Sequence, residues 1–415
     1  MRNLKIRAVL IIIPLVILGV ALATGFVLMW RLFSLSVLVL LLSYLWVFLG
    51  TRGLTGKVKK SSEYCQVGEW FGEEITVFSS SKIPKLLVKV QENTDLPGHY
   101  NTGAFNLSPE GSHCWRTEVY CQRRGQYSLG ALTATVTDPF GFFSVRRSLA
   151  EPQNILVYPA TLELPFFQPL SRSEPGHGPS RWLISEIGPN AARVREYTSG
   201  DTLNRIHWHS TAHTGKLMVK EFDPDRANYA SKNVWIIPDM HQASQLGDGD
   251  DSTEEYCITI AASLIKKYMD SGKQVGLIAA SDQSYLFPPQ MESQHLWHML
   301  EALALMKATG EVPIEQLISY EIEHFGVNSV IIVITPSVSE RIVTSLRQVK
   351  NRGAPVVVIL LDPISFDGTV SAANAARSLV SSGFQVYIIR RGEELARTLD
   401  SRALIPHMRY VGDLV

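Results

Sequence analysis

Two apolar runs near the start of the chain, Ala8 to Met29 and Leu32 to Leu49, restrict its fold more than any other feature. Each approaches the roughly 20 residues that a helix needs to cross about 30 Å of hydrocarbon. Backbone in lipid must satisfy its own polar groups, so each run reads as one helix. The first run is longer than the apolar region of a typical signal peptide, and the second follows after only Trp30 and Arg31. A two-span hairpin with a tight turn at those two residues is the expectation. Arg2, Lys5 and Arg7 precede it and Arg52, Lys57, Lys59 and Lys60 follow it, against Arg31 alone at the turn. The positive-inside rule then places both ends in the cytoplasm. Residues 1–60 are read as the transmembrane hairpin of a multi-pass inner-membrane protein, with the bulk of the chain cytoplasmic.

The remaining length divides by pattern. Residues 61–160 hold short alternating runs, including 74–78, 85–90, 115–120 and 131–136, separated by Pro97-Gly98, Pro109-Glu110-Gly111 and Arg124-Gly125. Alternation with such breaks predicts an antiparallel β-sandwich of immunoglobulin-like shape. Asp138-Pro139-Phe140-Gly141 reads as a structural turn packed with Phe140, Phe142 and Phe143. Residues 161–190, rich in Pro and Gly, read as a linker. From residue 227 to 415, β-branched runs, the first at 233–237, alternate with helical patterns, the first of which is opened by the capping sequence Ser252-Thr253-Glu254-Glu255. That order predicts a mostly parallel sheet covered on both faces, a doubly wound α/β domain. The fold class is therefore α+β and multidomain.

Composition narrows the partners. Lys plus Arg equals Asp plus Glu, 39 of each, which leaves no net field to attract a polyanion, so no nucleic-acid partner is expected. The four cysteines show no CxxC spacing, which argues against a zinc ribbon or a redox motif.

The densest chemistry lies in residues 191–226, where Arg195, Tyr197, Gly200, Asp201, Arg205, His207, Trp208 and Lys216 crowd together. Three readings compete. His207 and His209, two apart, share one face if the segment is a strand, and with His213 could ligate a metal. Asp201 with His207 or His209 could serve general acid–base chemistry in a hydrolase-like or metal-dependent enzyme. The preferred reading is a recognition element: charged residues paired into a network with Trp208 as its apolar anchor, the composition of interface hot spots. No nucleophile elbow, Cys–His pair or phosphate loop accompanies the segment, so no catalytic residue and no cofactor is assigned.

The run Val194-Arg195-Glu196-Tyr197-Thr198-Ser199-Gly200-Asp201, with Arg205-Ile206-His207-Trp208 and Thr214 to Phe222, resembles the signature of the domain of unknown function 58 family. Arg123 to Gly130 and Asp138 to Phe143 add to the likeness. The resemblance implies a membrane-anchored bacterial or archaeal protein with a von Willebrand A-like C-terminal domain, often associated with a MoxR-type AAA+ ATPase. In von Willebrand A domains the first strand ends in an Asp-x-Ser-x-Ser metal motif. Here that place holds Asp239-Met240-His241-Gln242-Ala243, with Ser244 one position late, and Thr335-Pro336 stands where a later acidic residue is usual. The site at Asp239 is thus read as degenerate, with no metal assigned. The function expected is a membrane-tethered adaptor or scaffold, partnered through resemblance by the ATPase.

Overall fold

The computed structural model describes residues 2–167, 193–198, 206–221 and 233–400, and divides into two units, 1–158 and 159–415. The first unit opens with helix α1 (Arg2–Thr24) and helix α2 (Val27–Thr51), which pack on each other. The turn falls at Gly25-Phe26, not at Trp30-Arg31, so the expected spans shift. Gly25 is why: its φ of +65° suits a left-handed helix end, and its N–H bonds the Ala21 carbonyl at 3.0 Å. Trp30 and Arg31 continue the helical pattern inside α2. Among the described residues, α2 is the one helix long and apolar enough to cross a membrane.

Ten strands follow: β1 (Leu54–Lys60), β2 (Tyr64–Gln66), β3 (Trp70–Ser79), β4 (Lys85–Asn93), β5 (Thr102–Leu107), β6 (Ser112–Tyr120), β7 (Gly125–Leu129), β8 (Ala131–Thr137), β9 (Ser144–Ala150) and β10 (Gln153–Tyr158). They form sheets ordered β1-β3-β6, β5-β4-β8-β9 and β2-β10-β7. The first two pack face to face, with Leu54, Val58, Ile75 and Val77 meeting Val88, Val90, Leu132, Ala134 and Val136 in a common core. A second apolar cluster gathers Cys65, Phe71, Leu96, Val119, Cys121, Leu129, Ile155 and Val157.

The β-domain grips the end of α2. Lys85, 1% exposed, donates to the Leu49 carbonyl at 2.9 Å, and Arg147 donates to the Thr51 carbonyl at 2.9 Å. Last-turn carbonyls lack helical partners and carry partial negative charge, so cations there satisfy both needs. Burial pushes the Lys85 ammonium below its usual range, with Arg147 adding to the shift. The Asp138 turn also rests on α2, its Phe143 ring 6.0 Å from Tyr44. Within that turn Asp138 accepts from the Phe143 N–H at 2.6 Å and the Phe140 N–H at 3.1 Å. Phe140, expected in the packed corner, is instead exposed and stacks on Phe142.

In the second unit the start of the expected linker is fixed rather than free. Leu164 and Phe167 are buried, Phe167 against Tyr387, and Lys267 donates to the Leu164 carbonyl. The rest of that expected linker lies outside the described residues. After the paired strands β11 (Arg193–Glu196) and β12 (Met218–Glu221) comes a six-stranded sheet comprising β13 (Asn233–Pro238), β14 (Val275–Ala280), β15 (Ser284–Gln290), β16 (Ser329–Thr335), β17 (Val356–Leu361) and β18 (Gln385–Ile389). Its order is β15-β14-β13-β16-β17-β18, parallel except for β15, the antiparallel edge. Helices Thr253–Asp270, Ser293–Leu305, Ile314–Tyr320, Arg341–Asn351 and Ala373–Ser381 join the strands. Strands β13, β14, β16 and β17 are buried almost throughout, which is why they read as continuous apolar runs.

Candidate functional site

The signature folds as a ribbon with a helical insert. β11 (Arg193–Glu196) pairs antiparallel with β12 (Met218–Glu221), setting Arg195 opposite Val219. Between them runs the short helix α3 (Trp208–Thr214), entered from Ile206, which is buried and bridges to Val219. His207 is its N-cap, its Nδ1 3.3 Å from the Ser210 N–H and 2.7 Å from the Ser210 hydroxyl. Gly215 ends the helix at φ +71°, a conformation in which other residues are strained. Lys216 closes the ribbon on Glu196 at 2.7 Å. Both partners are mostly exposed, so the pair orients the loop more than it stabilises it.

This geometry corrects two expectations. His207 and His209 do not alternate along a strand: one caps the helix and the other lies within it, their ring centroids 6.2 Å apart with planes 54° to one another. Trp208 is not an internal anchor, because α3 has no buried residue and the indole is 68% exposed. Tyr197 continues the ribbon, its N–H bonding the Leu217 carbonyl at 2.9 Å. Gly200, Asp201 and Arg205 lie outside the described residues.

The carboxyl edge of the parallel sheet is the second place where a ligand site is expected, because the chain leaves β13 first toward β14 and later returns to β16 on the other side. Asp239 lies there, 1% exposed. One carboxylate oxygen accepts from the Thr335 hydroxyl at 2.6 Å and the other from the His241 N–H at 3.0 Å. Burial pushes this carboxyl up to about 6, although the Thr335 and His241 bonds pull the other way. Gln245 donates to the Asp239 carbonyl and accepts from the Thr253 hydroxyl at 2.6 Å, which folds the loop over the strand end. Ser244, the displaced serine, faces His241 Nδ1 at 3.0 Å. Asp362, at the end of β17, is spent in the same way on the Ala372 N–H at 2.8 Å and on Arg390 at 3.6 Å.

Sequence reasoning singled out Asp239 but missed Thr335, Gln245 and Thr253 as its polar company, and Asp362 at the end of β17. A polar residue directly after a buried apolar strand was the available signal. Thr335 drew notice only for not being acidic.

The class defined so far is a mixed α/β protein with an apolar N-terminal helix, a β-domain and a predominantly parallel sheet preceded by an exposed ribbon. Residues 193–367 match the family model described as "Protein of unknown function DUF58". The chain is 27% identical over 207 residues to the uncharacterized protein YeaD of Bacillus subtilis, covering 50% of this chain and 48% of that one. It is 26% identical over 131 residues to the uncharacterized protein Rv1480 of Mycobacterium tuberculosis, covering 31% and 40% respectively. The chain thus matches less than half the length of these relatives. Among solved structures, proximal thread matrix protein 1 of the mussel byssus aligns at a TM-score of 0.31 with 13% identity, over 41% of this chain and 46% of that one. The CARDB domain of the PF1109 protein of Pyrococcus furiosus aligns at 0.20 with 18% identity, over 25% and 86%.

Proposed function

We propose that this protein is a membrane-tethered adaptor that binds a protein partner through the β11–α3–β12 ribbon. The observation that carries the reading is the exposure of Trp208 on a helix that buries nothing of its own. An indole held in water forgoes the burial it would gain elsewhere, and aromatic side chains beside basic ones are the commonest anchors of interfaces. The closed edge at Asp239 favours the same reading, since its polar atoms are consumed by the fold rather than held open for a substrate.

In this proposal α1 and α2 form a hairpin in the inner membrane, and both cationic flanks lie with the bulk of the chain in the cytoplasm. The facing sheets of the β-domain support an immunoglobulin-like sandwich. The strand order and the helical connections of the second unit support a von Willebrand A-like domain. A MoxR-type AAA+ ATPase is the partner that the family resemblance suggests.

The test is co-purification from membranes. Wild-type chain should retain a MoxR-type ATPase, and Trp208→Ala should lose it while its circular dichroism stays unchanged. Exposed substitutions of this kind shift stability by no more than about 0.5 kcal/mol, so unfolding should not confuse the result. Equal recovery of the ATPase with both chains, or with neither, would overturn the proposal.

A further inference from the structure

The core of the β-domain contains an inward-facing charged layer that the adaptor reading does not use. Glu73 follows Phe71 and precedes Ile75 and Val77 on the buried face of β3, while Glu92 follows Val88 and Val90 on the buried face of β4. These strands belong to different sheets, so the two carboxylates meet across the interface between them. They separate the two apolar clusters: Phe71 lies in one, and Ile75, Val77, Val88 and Val90 in the other. His99, from the β4–β5 connection, completes the group with its side chain 5% exposed.

Distances and bonding define the group further. His99 Nε2 lies 3.0 Å from Glu92 Oε2 and 3.9 Å from Glu73 Oε2, and the three donor atoms all fall within 4.8 Å of one another. Glu92 is held from behind, by the Gly130 N–H at 2.8 Å and the Asn101 amide at 3.3 Å. Asn101 is itself fixed by Thr117 at 3.1 Å and by the Trp115 indole at 3.4 Å. Glu73 differs: its side chain is fully buried, no N–H or hydroxyl donates to either oxygen, and its polar neighbours are the Glu92 carboxyl group and His99. Lys60, its register partner on β1, donates to the Asn154 carbonyl.

A buried carboxylate without a donor costs several kcal/mol unless it takes up a proton or a charge compensates it. Two carboxylates and one imidazole carry up to two negative charges when the ring is neutral, which a divalent cation would neutralise. Zinc at about 2.0–2.2 Å from its ligands sets tetrahedral donors roughly 3.3 Å apart, between the two separations seen here. Imidazole suits zinc and related transition ions, whereas calcium and magnesium take oxygen ligands. Bonded carboxylate ligands, such as Glu92 backed by Gly130 and Asn101, are typical of such centres.

We propose that Glu73, Glu92 and His99 form a buried binding site for a divalent transition cation that joins the two sheets of the β-domain. The site lies apart from the ribbon and does not depend on the adaptor role.

The experiment uses the full-length chain in detergent, stripped with a chelator and titrated with Zn²⁺ by calorimetry, with thermal unfolding followed in parallel. Wild type should bind one tight equivalent and unfold at higher temperature once loaded. His99→Ala and Glu92→Gln should each lose that equivalent. Because either could impair folding, Glu73→Gln is the deciding variant. It replaces the buried carboxyl group with a neutral amide of the same shape, so it should unfold at or above the temperature of stripped wild type yet show no zinc-dependent rise. A stripped wild type that binds no zinc, or a Glu73→Gln chain that responds to zinc like wild type, would overturn the proposal.

Discussion

Asp239 shows how one residue can look like a ligand and act as a clasp. Thr335 and the His241 N–H occupy its two oxygens, tying the end of β13 to the end of β16. The clasp should leave a signature in pH. Burial raises the folded-state pKa of this acid from 3.8 to about 6, so between those values the folded state holds more protons than the unfolded state. Stability contributed here should therefore be complete below about pH 4, fall as pH rises, and be lost above about pH 6. Asp239→Asn keeps the shape and one of the two acceptor oxygens while removing the charge, so it loses one bond at every pH but no longer titrates. Its denaturant stability, compared with wild type across that window, should gain up to roughly 3 kcal/mol at the upper end. A difference between the two chains that stays constant with pH would refute the assignment.

At the scale of elements, glycine positions show where backbones come too close for a side chain. A Cβ at Gly310 would stand 2.2 Å from the Ala280 carbonyl oxygen and 2.9 Å from that of Met240, and backbone atoms cannot step aside. Gly310→Ala should cost about 1–3 kcal/mol, the usual penalty for overpacking, seen as a lower denaturant midpoint with an unchanged slope. Elements with a strong period were legible in the sequence: β13, β14, β16, β17 and β18 fall where continuous or alternating apolar runs predicted them. β15 was not, because Pro288 and Pro289 argue against a strand, and only its place at the sheet edge lets them be accommodated. The signature was legible as a dense segment but not as a shape. His207 caps the helix Trp208–Thr214, whereas the two-residue spacing of His207 and His209 fits one face of a strand equally well. Glu73 and Glu92 were legible in principle, since each sits two residues from an apolar neighbour on an alternating strand. The alternating runs 74–78 and 85–90 stop short of both, and their inward parity emerges only because the strands extend over Trp70–Ser79 and Lys85–Asn93.

For the whole first unit, the decisive contacts join α2 to the β-domain. Lys85→Met keeps the volume but leaves the Leu49 carbonyl without its donor, which should cost about 1–3 kcal/mol in the unfolding of the detergent-purified chain. Recovery of wild-type stability in that variant would mean that the helix end is satisfied in another way. Only Arg52 and Gly53 separate α2 from β1, and Lys85, Arg147 and the Asp138 turn hold the junction from the side. A flexible leash would let the β-domain sample a hemisphere above the membrane. This junction is a bracket, with no slack to pay out, so on the proposed topology anything bound to the β-domain sits at a fixed height from the bilayer and faces one direction.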